Sequence, residues 1–209
     1  MPSHNATAMR RQPQHTRGQL RVEAILRAAT AVFGARGFES ATTNAIARRA
    51  RASIGSLYQY FPNKEAILQA VVTRHRAELN TLFAGLLTPE LLRQPTPVLV
   101  DRVLAGAAGF ITGHAGFGRI FWHSPASPRL AAIAAQLDDE MITRVDTGFA
   151  LRYPRLPRRH RRLHATITVT MLKALLALAD TAPTAERKRI LAETRSILTD
   201  YLDQIERAR

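Results

Sequence analysis

Residues 42–68 read TTNAIARRARASIGSLYQYFPNKEAIL, and the fold turns on how this stretch is parsed. Its inner nine residues, Ser53 to Phe61, hold no Lys or Arg, two tyrosines and an early glycine. Leu57 and Phe61 stand four apart, so on a helix they share a buried face. The Ser53 hydroxyl is placed to cap that helix. Ile54, one turn before Leu57, either joins the buried face or stays exposed as the first helical residue. Ser56, Gln59 and Tyr60 point elsewhere. Tyr58 is expected half buried, its hydroxyl outward. Upstream, a short helix starts near Thr42-Thr43, is capped by one of these hydroxyls, and buries Ile46, Ala47 and Ala50. The turn Arg51-Ala52-Ser53 joins the two. Downstream, Pro62-Asn63 breaks the chain, and Asn63 can cap a long helix with Ile67, Leu68, Val71, Val72, Leu79, Leu82 and Phe83 on one side.

The same periodicity extends outward. Leu20, Val22, Ile25, Leu26, Ala29, Val32 and Phe33 form an apolar stripe ending at Gly37, a C-terminal stop. After a loop holding Pro89, Pro95 and Pro97, helices are expected at 97–114, 117–122, 128–152, 157–180 and 184–207. Prolines and Gly116 separate them. No stretch alternates with a period of two, so the fold class is all-α. The expected organisation is a flexible basic arm (1–18), a three-helix domain (19–72) and a C-terminal helical domain (73–209). The boundary falls within or at the end of the fourth helix.

Of 209 residues, 46% are hydrophobic, enough for one sizeable domain or one with a small appendage. There is no cysteine, which removes disulfides, thiolate catalysis and Cys-based metal sites. No apolar run approaches the roughly 18 residues that span a bilayer, and residues 1–18 lack the apolar core of a secretory signal. A cytoplasmic location is expected. The net charge of +14 suggests a polyanionic partner. Arginine dominates, with only Lys64, Lys173 and Lys188 besides, as biased codon usage would produce. Yet the excess is local. Residues 1–76 hold 12 basic and 3 acidic side chains, and residues 152–162 hold six Arg and no acid.

Two short helices and a three-residue turn have the dimensions of a helix-turn-helix, whose second helix enters the major groove. A three-helix core without a ligand also fits the spacing, but it does not explain the local charge. Thr42-Thr43, Ile46-Ala47, Ala50, Ser53, Gly55, Leu57-Tyr58, Tyr60-Phe61 and Lys64-Glu65 together resemble the helix-turn-helix of the TetR (tetracycline-repressor-like) family of bacterial transcriptional regulators. AATAVFGARGFESATT, just upstream, resembles that family's first helix and turn. The likeness covers residues 20–72; the remainder matches in helicity and length. It implies that Thr42, Thr43 and Asn44 meet phosphate at the start of helix two, with Ser53 opening the reading helix. Ile54, Gly55, Ser56, Gln59 and Tyr60 would face the groove, and Tyr58 and Lys64 would bind phosphate. Arg51 departs from the family's usual turn glycine. Ile54 is apolar where a polar residue often stands.

The resemblance further implies a homodimer on a near-palindromic operator, released from DNA by a small-molecule effector. The last two helices would pair, through Thr168, Leu172, Leu175, Leu176, Ile197, Leu198, Tyr201 and Ile205. The middle helices would enclose a pocket, with Phe110, Phe117, Phe121, Trp122, Met141, Phe149 and Met171 as lining and an apolar ligand. Plain core packing competes at each of these positions. Gly106, Gly109 and Gly113 mark close packing or a bend. The run RYPRLPRRHRR reads as solvated surface, although a basic cluster at a helix start opposes the dipole and keeps an anionic partner open. An enzyme is disfavoured. His160 and His164, at i, i+4, lack an intervening glutamate, so no metal is expected there. Phosphate-cradling and nucleophile-elbow motifs are also missing. The expected function is a sequence-specific DNA-binding regulator, acting as a repressor. The alternatives are a non-specific architectural DNA binder and an all-α enzyme.

Overall fold

A computed structural model describes residues 16–114 and 128–207. Among them are nine helices and no strand: α1 (Thr16–Arg36), α2 (Thr43–Arg49), α3 (Ile54–Tyr60), α4 (Lys64–Leu86), α5 (Pro89–Leu92), α6 (Thr96–Gly113), α7 (Pro128–Arg152), α8 (Arg158–Thr181) and α9 (Thr184–Arg207). The all-α class is therefore correct. The expected helix 117–122 lies outside the described residues, as does the arm up to residue 15. Thr16 to Gly18, expected in that arm, already form the first turn of α1. The proline loop after α4 contains α5, a single turn capped by the Thr88 hydroxyl on the Leu91 N–H.

The chain divides into two compact units, the first reaching Glu78 and including His114, the second holding Leu79–Gly113 and Ala131 onward. In the first unit Ile25, Ala29, Phe33, Ile46, Leu57, Phe61, Ile67 and Val71 are almost wholly buried. Each large side chain among them contributes about 2 kcal/mol by leaving water. Leu20, expected in this stripe, is 63% exposed, whereas Val22 two residues later is buried. Ala50 is only half buried, at the C-cap of α2. Gly37 ends α1 with φ +75°, a conformation that costs glycine nothing.

In the second unit Val100 and Leu104 of α6, Phe149 of α7, Tyr153 after it, Ala165 of α8, and Leu198, Leu202 and Ile205 of α9 form one core. Gly106 has a packing reason: a Cβ there would lie 2.6 Å from Leu86 Cδ1. A Cβ at Gly109 or Gly113 would meet nothing within 4 Å. Contrary to the sequence reading, one helix, α8, is long and apolar enough to cross a bilayer, with a mean hydropathy of 1.3 over its best window. In this protein Ala165, Val169, Leu176, Ala177 and Ala179 of that helix are buried in the unit.

The basic run 152–162 is only partly solvated surface. Arg152 is nearly buried and donates to the carbonyls of Leu92 and Gln94, to the Thr96 hydroxyl and to Glu206. Arg161 pairs with Asp146 at 2.8 Å, and Arg162 with Asp139. Arg155, Arg158 and Arg159 remain exposed. The run thus fastens the end of α7 to the turn before α6, and the start of α8 to α7. Its partners stand 15 to 60 residues away in sequence.

Candidate nucleic-acid interface

The local chemistry of α2 and α3 follows from their caps. The Thr42 hydroxyl accepts from the Ala45 N–H at 3.1 Å, and the Ser53 hydroxyl from the Ser56 N–H at 3.1 Å. Asn63 Oδ1 does the same for Ala66 at 2.8 Å, starting α4 immediately after the break. Arg51, in the turn, has φ 51°. A left-handed arginine costs about 1 kcal/mol relative to glycine. Its carbonyl accepts a hydrogen bond from the Arg21 guanidinium at 3.2 Å, which fixes the turn against α1.

Leu57 and Phe61 are fully buried, so α3 has one orientation. That leaves Ile54 (39% exposed), Gly55 and Gln59 open, with Ser56 and Tyr60 partly so. The open question about Ile54 is answered: it stays outside the core. A Cβ at Gly55 would meet nothing within 4 Å, so packing within the chain does not demand glycine there. Tyr58 is 41% exposed, and its hydroxyl bonds Thr43 Oγ1 at 3.1 Å. This bond joins the first turn of α2 to α3. Asn44 is exposed beside it.

Lys64 has partners within the chain. Its ammonium does not project freely. It donates to the carbonyls of Phe38 at 2.8 Å and Glu39 at 3.0 Å, and lies 4.5 Å from the centre of the Phe38 ring. Two of its three N–H groups hold the turn between α1 and α2, leaving one for phosphate. Arg48 and Arg49, exposed in the last turn of α2, are cations the sequence reading did not single out. The charge count over residues 1–76 already contained them.

This arrangement agrees with comparison to known proteins. Residues 25–71 match the family model for bacterial regulatory proteins of the tetR family, and residues 95–202 match that for the tetracyclin repressor-like C-terminal domain. The chain belongs to the TetR family. A 61-residue segment is 41% identical to the HTH-type transcriptional regulator UidR of Escherichia coli (strain K12), covering 29% of this chain and 28% of that regulator's length. The crystal structure of a TetR-like transcriptional regulator from Rhodococcus sp. RHA1 is similar at TM-score 0.67 and 20% identity, covering 92% of this chain and 99% of that one. AibR, solved in complex with isovaleryl coenzyme A and operator DNA, is similar at TM-score 0.62 and 14% identity, covering 86% and 98%. These structural likenesses concern the fold.

A TetR-family C-terminal unit would be expected to hold a pocket, and the second unit does contain a cavity of about 70 Å³. Phe83, Leu92, Val100, Val145 and Leu202 are among its lining residues. Of the expected pocket residues, Met141 and Phe149 line it. Met171 instead packs against the core, and Phe110 is not part of this cavity. Phe117, Phe121 and Trp122 lie outside the described residues. Thr168, Leu172 and Leu198, assigned from sequence to the subunit interface, line the cavity as well. Leu176, Leu198 and Ile205 are each 4% exposed and therefore belong to the core of their own unit, not to an outer face. Leu175 and Tyr201 are half buried, and Ile197 is 42% exposed. Leu163 and Leu178 of α8, at 55% and 54%, are exposed apolar residues not assigned from sequence. His160 is exposed, while His164 Nδ1 is bonded to the Tyr201 hydroxyl at 2.7 Å.

Proposed function

We propose that this protein is a dimeric, sequence-specific DNA-binding regulator that acts as a repressor and releases its operator when a small apolar effector binds. The observation that carries the reading is the exposed face of α3. Ile54, Gly55 and Gln59 are open, and Gly55 has no neighbour within the chain that requires it. A glycine costs a helix up to about 1 kcal/mol, and close approach to a duplex is a reason to keep one. Ser56, Gln59 and Tyr60 would contact base edges, and Ile54 would meet thymine methyls. Thr42, Thr43, Asn44, Tyr58, Arg48 and Arg49 would meet the backbone, and Ser53 would orient the N-terminal N–H groups of α3. The site of action would then be the cytoplasmic chromosome.

An apolar effector is supported by the apolar lining of the cavity, and response to a ligand by the AibR complex. At about 70 Å³ the cavity is far below the ~300 Å³ of ordinary ligand pockets, so the effector would have to open it. Pairing of subunits is supported by the exposed Leu163, Leu178 and Ile197 on the last two helices.

Selection of bound duplexes from a random pool at physiological salt tests the reading. An enriched near-palindrome is expected, with its half-sites about one helical turn apart or somewhat more. Gln59→Ala should then change the relative affinities of enriched variants. If no sequence is enriched, and Gln59→Ala weakens all duplexes equally, the chain is a non-specific architectural binder instead.

A further inference from the structure

The first unit holds a cluster that DNA reading does not use. His75 of α4 is buried, and its Nε2 lies 3.1 Å from Thr30 Oγ1. Thr30 Oγ1 also lies 3.0 Å from the Leu26 carbonyl oxygen. Which atom donates between His75 and Thr30 depends on the imidazole tautomer. His75 Nδ1 faces Glu78 Oε2 at 3.1 Å. In the tautomer with Nδ1 deprotonated, its lone pair and the carboxylate stand side by side. His114 Nε2 lies 2.9 Å from the same oxygen. One donor atom from each of the three residues lies within 4.8 Å of the other two.

We propose that His75, Glu78 and His114 bind one divalent transition-metal ion of the borderline class, such as Zn²⁺, Co²⁺ or Ni²⁺. Imidazole and carboxylate donors without thiolate suit these ions better than Ca²⁺, Mg²⁺ or Cu⁺. With bonds near 2.0–2.1 Å, tetrahedral ligand atoms stand about 3.3 Å apart. The two separations above already approach that value. His75 and Glu78 lie on one face of α4 at i, i+3, and His114 directly follows α6.

The surroundings fit a cation. Arg74 binds Glu78 Oε1 at 2.8 Å and Glu23 at 2.8 Å, so the three side chains carry a net charge of −1. Arg74 also leaves Oε2 as the oxygen turned toward both histidines. Burial works against the Glu78 charge, but hydrogen bonds from Arg74 and with His75 bring its carboxyl below the ordinary range. Burial holds the His75 imidazole down at about 4, outweighing the pull of Glu78, so the ring is in its ligand form at neutral pH. Thr30 fixes the orientation of that ring, as groups behind a metal ligand commonly do. Three protein ligands leave a fourth position for water or an exchangeable anion, the pattern of an open rather than a closed site. An ion here would join the chain after α6 to α4 and, through Thr30, to α1.

The test is a Co²⁺ titration of the full chain after EDTA treatment, followed by visible d–d absorption and by calorimetry. One equivalent per chain is expected. His114→Ala, at a half-exposed position, and the isosteric Glu78→Gln should each weaken binding by more than about 100-fold. Thr30→Val should weaken it about 10- to 100-fold while keeping the stoichiometry. The double variant His160→Ala/His164→Ala should bind as the parent does. Thermal melts of the metal-free variants establish that they are folded. Absence of Co²⁺ bands in the parent, their persistence in folded His114→Ala, or their loss in the His160/His164 variant would each overturn the site. None of these outcomes depends on DNA binding.

Discussion

Gly55 and Lys64 show how far a single residue could be read without a structure. Gly55 was legible as an anomaly, because glycine in the first turn of a short helix is unfavourable. That no neighbour within the chain requires it is visible only once the chain is folded. Gly55→Ala should therefore leave the melting temperature unchanged or raise it slightly, since alanine is the better helix former. It should weaken operator binding about tenfold or more by holding the backbone off the duplex. A variant with parental affinity would remove α3 from the groove. Lys64 reads the other way. Charge and position suggested phosphate, but its partners are carbonyls 25 and 26 residues upstream, which no local pattern reveals. Lys64→Ala should lower stability by about 1–3 kcal/mol in chemical denaturation, because two half-sheltered carbonyls lose their donor. The slope of log K against log salt should change by no more than one unit. A shift of slope with no loss of stability would restore Lys64 to the phosphate contacts.

At the scale of elements, caps and breaks were readable because they are local. Thr42, Ser53 and Asn63 each cap the helix that follows, as a serine, threonine or asparagine before an apolar period should. Faces of the last two helices were not readable to the same degree. Both are apolar around much of their circumference, and periodicity cannot say which side meets its own core. Leu176, Leu198 and Ile205 turn inward, whereas Leu163, Leu178 and Ile197 stay exposed. An interface on α8 and α9 should therefore depend on the second set. Leu178→Glu combined with Ile197→Glu should give a folded monomer in sedimentation, because it places charge on an apolar face that pairing would bury. Leu198→Glu should unfold the second unit instead. A double variant that still sediments as a dimer would move the interface elsewhere. The metal cluster was half legible in the same sense. His75 and Glu78 share a face at i, i+3, but His114 arrives 36 residues later, and only folding brings it there.

At the scale of the whole molecule, charge is the most informative quantity that sequence supplies, and the structure divides it unequally. The run 152–162 has half of its arginines held by Glu206, Asp146 and Asp139. Over residues 1–76, by contrast, Glu23 is paired with Arg74, while Arg21, Arg27, Arg36, Arg48, Arg49 and Arg51 are exposed. Arg10 and Arg11 add to that surplus in sequence. Counterion release makes the consequence measurable, since each phosphate neutralised contributes about 0.9 to the salt slope on duplex DNA. Removing residues 1–15 should flatten the slope by up to about two units per chain while leaving sequence preference intact. Replacing Arg48 and Arg49 with alanine should have a similar effect. Replacing Arg155, Arg158 and Arg159 together should change it by less than one unit if they are solvated surface. Binding isotherms at several salt concentrations distinguish these cases. A larger effect from the second set than from the first would mean that DNA is engaged by the start of α8, and that the polyanion suggested by the overall charge meets the chain somewhere other than the helix-turn-helix.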